Sequence, residues 1–105
     1  GETSAVVAAR VATARLVQAQ RYQDFHAVRL NADAEGAVLE QFSAPDSAGR
    51  ELLSRVADRF GLTARGYHRI LRVARTIADL DGATQVERHH IAEAVGYRIA
   101  AMKPG

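Results

Sequence analysis

The stretch Arg65-Gly-Tyr-His-Arg-Ile-Leu-Arg-Val-Ala-Arg-Thr-Ile-Ala-Asp-Leu-Asp-Gly82 decides how this chain folds. At about 100° per residue, Arg65, Arg69, Arg72 and Thr76 fall on one narrow stripe of a helix. Tyr67, Ile70, Leu71, Ala74, Ile77 and Ala78 fall on the opposite side and form a core face. One side packs while the other presents guanidinium groups. Arginine suits phosphate because its planar fork donates paired hydrogen bonds and keeps its charge. A solvated charged face is the alternative that periodicity alone leaves open. Arg75 lies four residues before Asp79, so its simplest reading is an intrahelical pair worth a few tenths of a kcal/mol, about the usual value for such pairs.

Outward from this stretch the helical signals continue. Thr63 is placed to cap the arginine helix, and Asp81-Gly82 to turn the chain after Leu80. Upstream, Asp46 or Ser47 caps a helix running to Phe60, with Leu52, Leu53, Val56 and Phe60 facing inward; Gly61 is its stop. Ser43-Ala-Pro45 ends a short helix over about 36–42. Asn31, Asp33 and Gly36 are loop signals. Residues 4 to 22 form a first helix capped by Ser4, with Val7, Val11, Ala14 and Val17 or Gln18 recurring at helical spacing and Arg10, Arg15 and Arg21 off that face. Downstream, residues 87–101 form the last helix, burying Ile91, Ala94, Val95 and Ile99; Met102 to Gly105 fray. The expected fold is all-α, a bundle of four to five helices in a single domain over residues 1–105.

Composition agrees. The chain has 105 residues, enough for one domain with a core. Arginine supplies 13 of the 14 basic residues, although net charge is only +2. That imbalance points to phosphate or carboxylate recognition. With no cysteine there is no disulfide framework and no thiolate chemistry. No apolar run approaches membrane-spanning length, so no membrane partner is expected, and a cytoplasmic location suits the composition.

Residues 63–98 carry a longer pattern. Thr63 and Arg65 are followed by the block Arg69 to Leu80, then by His90-Ile91-Ala92-Glu93-Ala94 and Tyr97-Arg98. Glu2, Ser4, Arg10, Val11, Ala14, Arg15, Gln18, Arg21 and Asn31-Ala32 extend it more loosely. The pattern resembles the C-terminal helical domain of the magnesium-chelatase-like AAA+ ATPases of the ComM/YifB type. A weaker similarity, at Arg65-Gly66 and Leu71-Arg72, reaches the ATPase subunit of magnesium chelatase. The resemblance implies a lid, the small helical domain that closes over ATP and Mg2+ held by a larger ATPase domain of the same polypeptide. It assigns Arg65 the catalytic role of the sensor arginine that approaches the γ-phosphate, with Arg69, one turn on, as the second nucleotide-binding candidate. It implies contacts with adjacent subunits of a homo-oligomeric ring that remodels DNA during recombination or natural transformation. With Gly rather than Met at position 1, it also suggests an excised domain.

The chemistry of the remaining residues is sparse. No phosphate-binding loop or acidic metal-binding strand end is present, so these residues alone cannot hydrolyse ATP. His89 and His90 are adjacent and should point about 100° apart on a helix, a poor pair of metal ligands. No metal site is expected; His90 reads instead as helix N-terminal chemistry. Arg98 with Tyr97 anchors the last helix. The competing reading is a stand-alone helical nucleic-acid-binding module whose arginine stripe tracks phosphates. The spread of acidic residues, Asp24, Asp33, Glu35, Glu40, Asp58 and Asp79, weighs against it.

Overall fold

In a computed structural model, residues 2–102 are described, with side chains to residue 100. Five helices follow in order: α1 (Ser4–Arg21), α2 (Gly36–Ser43), α3 (Ser47–Phe60), α4 (Ala64–Leu80) and α5 (Arg88–Met102), with a 3₁₀ turn at Asn31–Asp33. No strand forms among the described residues; a single bridge pairs Pro45 with Val86. The expected all-α bundle is therefore the fold, and the short helix after Gly36 is real. Of Met102 to Gly105, where fraying was expected, Met102 closes α5 as a helical residue and residues 103–105 lie outside the described residues.

Local chemistry sets the boundaries. Thr63 Oγ1 accepts the Gly66 N–H at 3.1 Å and starts α4. Asp46 Oδ1 accepts the Gly49 N–H at 2.8 Å and starts α3. Gly61 ends α3 at φ 61°, where a Cβ would strain the backbone. At the first helix the cap is Thr3, not Ser4: its hydroxyl accepts the Val6 N–H at 3.2 Å.

Helix α4 is the hub, touching α1, α2, α5 and the 3₁₀ turn, while α3 packs on α5. Ile70, Leu71, Ala74 and Ala78 are buried, joined in the core by Leu39, Leu53, Val86, Ile91, Ala94 and Val95. Each such leucine or isoleucine contributes roughly 1.5–3 kcal/mol by leaving water. Tyr67 and Ile77 sit half-buried at the edge of this core. The edges of Phe42 and its neighbours Tyr22 and Phe25 meet at right angles, with centroids 5.6 and 5.8 Å apart.

Two inward expectations fail. Phe60, at the last position of α3, is 43% exposed. In α1 only Ala14 and Gln18 are buried, whereas Val7, Val11 and Val17 are exposed. The physical reason is length. Ala14 and Gln18 lie beside Thr76 and Leu80 of α4, whereas the first turns of α1 reach past the end of α4, with Val6 and Arg10 beside the Asp81–Gly82 turn.

Candidate functional site

The N-terminal end of α4 holds the first predicted residue. Arg65 is exposed and forms no ion pair among the described residues. Thr63 engages the N–H groups of Gly66 and Tyr67, the latter through its carbonyl at 2.9 Å. The N–H groups of Ala64 and Arg65 point outward along the helix axis, at the end where the dipole is positive. Arg98, from α5, crosses the same turn. Its guanidinium lies so close over Gly66 that a Cβ there would sit 3.1 Å from Nη2. Its Nε is buried without a hydrogen-bond partner. Gly66 thus lets the last helix lay an arginine against α4, which fits the anchoring role expected of Arg98.

The other arginines of the stripe diverge from it. Arg69 is exposed. Arg72 is half-buried: Nε donates to the Ala34 carbonyl at 2.8 Å, and Nη2 lies 3.9 Å from Glu35. Thr76 Oγ1 donates to the Arg72 carbonyl and accepts from Asn31 Nδ2, both at 3.1 Å. The structure therefore does not leave Arg65, Arg69, Arg72 and Thr76 as one solvated row. Only the first two form no side-chain hydrogen bond or ion pair among the described residues.

Arg75 departs further from expectation. Its pair with Asp79 exists at 3.0 Å, but both side chains are buried. Nη1 also donates to the carbonyls of Phe42 and Thr84, at 3.3 and 3.0 Å, and Nη2 to that of Ala83 at 2.9 Å. Burial pulls the guanidinium below its usual pKa, and Asp79 opposes that pull. A surface pair of a few tenths of a kcal/mol is thus the wrong description. Arg75 ties the end of α2 and the loop after α4 to the helix.

Asp79 has a second arginine, from α1. Arg21 grips it with two parallel bonds of 2.8 and 2.7 Å. Burial lowers the Arg21 pKa, yet its bonds and attraction to Asp79 outweigh this and leave it raised. Asn31 completes the cluster. Its Nδ2 donates to Asp79 at 2.8 Å, its Oδ1 accepts from the Tyr22 hydroxyl at 2.7 Å and from Arg21 at 3.0 Å, and its N–H reaches Gln18 Oε1 at 2.9 Å. Burial pushes the Tyr22 hydroxyl pKa up. Every polar atom of Asn31 used here has a partner, the condition for a buried polar network to stabilise rather than destabilise. From the sequence Asn31 reads as a loop signal and as part of the family-like pattern, not as the centre of a buried cluster.

The histidines converge where divergence was expected. The rings of His89 and His90 lie 3.9 Å apart between centroids, and the Nε2 atoms reach the same Asp81 oxygen at 3.5 and 3.1 Å. Bonds from His90, then His89, hold the Asp81 carboxyl below its usual pKa. Ligand atoms of all three residues fall within 4.8 Å of one another, the spacing of a metal cluster. The tautomer of His90 opposes that use. Its Nδ1 accepts the Glu87 N–H at 2.9 Å, so Nε2 carries the hydrogen and donates it to Asp81. The lone pair that a metal needs at Nε2 is occupied. His90 caps α5 by bonding back to the residue before that helix, as the sequence reading supposed, and ties it to the end of α4.

Comparison with known proteins adds the lineage. Residues 1–98 match the family described as the magnesium chelatase, subunit ChlI C-terminal. Over 98 residues, 93% of this chain, it is 40% identical to the competence protein ComM of Haemophilus influenzae and 39% to YifB of Escherichia coli. It is 38% identical over the same share to YifB of Salmonella typhimurium. The chain covers 18% of the length of each of these relatives. No helix among the described residues is long and apolar enough to cross a membrane. The chain belongs to the magnesium chelatase ChlI C-terminal family, as a C-terminal domain of the kind found in ComM- and YifB-like proteins.

Proposed function

We propose that this domain is the lid of a magnesium-chelatase-like AAA+ ATPase and that Arg65 is its sensor arginine. The observation that carries the reading is the contrast in partners along α4. Arg72 and Arg75 are engaged inside the domain, while Arg65 stands exposed and unpaired at the helix end whose dipole favours an anion. In this reading a larger ATPase domain of the same polypeptide holds ATP and Mg2+. Closure brings the Arg65 guanidinium to the γ-phosphate, where it offsets charge developing during phosphoryl transfer. Arg69, one turn further from the helix end, is the second candidate for the same contact. The remaining faces meet adjacent subunits of a ring acting on DNA, and one relative of this chain is a competence protein.

The test is ATP turnover by the full-length protein carrying Arg65→Ala or Arg69→Ala. Loss of a transition-state contact of this kind lowers turnover roughly 10²-fold or more. The reading expects that loss for Arg65→Ala and a smaller one for Arg69→Ala. The reverse order moves the role to Arg69. Normal turnover in both removes the sensor assignment.

A further inference from the structure

Two shallow hollows of about 270 and 320 Å³ adjoin beside α4, and they share Ala32 and Thr76. Together they form a groove along α4 from Arg69 to Leu80, a distance of about 16 Å at the helical rise. Leu30, Val73, Ile77 and Leu80 give it an apolar lining. Arg15, Arg69 and Arg72 also line it; among the described residues no acidic residue does, and Glu35 lies 3.9 Å from Arg72. Arg15 and Arg69 are exposed and form no ion pair among the described residues.

We propose that this groove docks an amphipathic helix of another protein segment, one that carries carboxylates along the edges of its apolar face. The occupant follows from complementarity. The length suits about three turns of helix, whose apolar row at i, i+4, i+7 spacing fills the lining. The guanidiniums of Arg15 and Arg69 then meet carboxylates at the margins, where they fix register and exclude basic partners. A nucleic-acid strand fits less well, because its phosphates match the arginines but leave the valine, isoleucine and leucine surfaces uncovered. The docking site stands whether or not Arg65 meets a nucleotide, and its test involves no ATP.

The experiment uses fluorescence anisotropy with two labelled synthetic helical peptides that share one leucine row. One has glutamate along both edges of that row, the other lysine. The chain should bind the glutamate peptide at least about tenfold more tightly. Arg15→Glu with Arg69→Glu should reverse that preference, and Leu30→Asp, at an exposed loop position, should abolish binding of the glutamate peptide. Arg59→Glu, an exposed arginine on α3 outside the groove, should change nothing. Circular dichroism of each variant confirms that it remains helical. Equal binding of the two peptides, or a preference that survives the double reversal, overturns the proposal. So does a single-stranded DNA oligonucleotide that binds more tightly than the glutamate peptide and is lost with the same double variant.

Discussion

The two ends of α4 put the same residue type to opposite uses. At the N-terminal end Arg65 stands in solvent beside helix N–H groups without acceptors. Three turns on, Arg75 is buried, its guanidinium shared among three carbonyls and Asp79. The difference lies in the neighbours. Near Arg75, the end of α2 and the loop after Leu80 bring the carbonyls of Phe42, Ala83 and Thr84 to the guanidinium, and Asp79 of α4 itself supplies the acid. Over Gly66 in the first turn lies Arg98, another cation. An arginine is available to a ligand where the fold supplies it no acceptor.

The buried end gives the largest expected effect. Asp79→Ala leaves Arg75 buried without its counter-charge and frees Arg21 from α1's main tie. Breaking a buried pair from one side costs about 3–5 kcal/mol. Urea denaturation followed by circular dichroism should show that loss; a change below about 1 kcal/mol would mean that the cluster is not a structural tie. Asn31→Ala should come next, at about 1–3 kcal/mol, because it takes the amide away from the buried Tyr22 hydroxyl and from Asp79, while Gln18 keeps the backbone N–H. The same denaturation curves check it, and wild-type stability would show that water replaces the amide without loss.

A smaller effect separates the α4–α5 junction from both ends. Asp81 has its pKa depressed by His90 and His89. A group with a depressed folded-state pKa stabilises the fold above its unfolded value, and that contribution disappears as pH falls through the folded value. Asp33, lowered by the N–H groups of Arg29 and Leu30, acts with the same sign. Melting temperature should therefore fall on acidification, and less steeply in Asp81→Asn than in the wild type. Parallel profiles would show that the Asp81 contact with the histidines carries no stability.

The helices were legible because their signals are local: caps at Thr63 and Asp46, stops at Gly61 and Gly82, and apolar spacing within each segment. Spacing separates Arg65 from Arg75, which it pairs with Asp79, but not from Arg69 or Arg72; the choice of Arg65 rests on the family resemblance. What stayed hidden depends on distant partners. Arg21 meets Asp79 across 58 positions, and Asn31 joins them from a segment read as loop. The apolar residues of α1 misled for a similar reason. Periodicity showed which face is apolar, but not that α1 overruns the helix it packs against. His89 and His90 converge because Asp81, at the end of another helix, draws both rings toward one oxygen.

The central claim is that Arg65 is presented and Arg75 is locked, and side-by-side urea denaturation of Arg65→Ala and Arg75→Ala in this chain tests it most directly. Arg65→Ala removes no internal contact and should leave stability within about 0.5 kcal/mol of the wild type. Arg75→Ala strips donors from the carbonyls of Phe42, Ala83 and Thr84 and one cation from Asp79, and should cost at least about 3 kcal/mol. Equal losses in the two variants, or a larger loss for Arg65→Ala, would contradict the account.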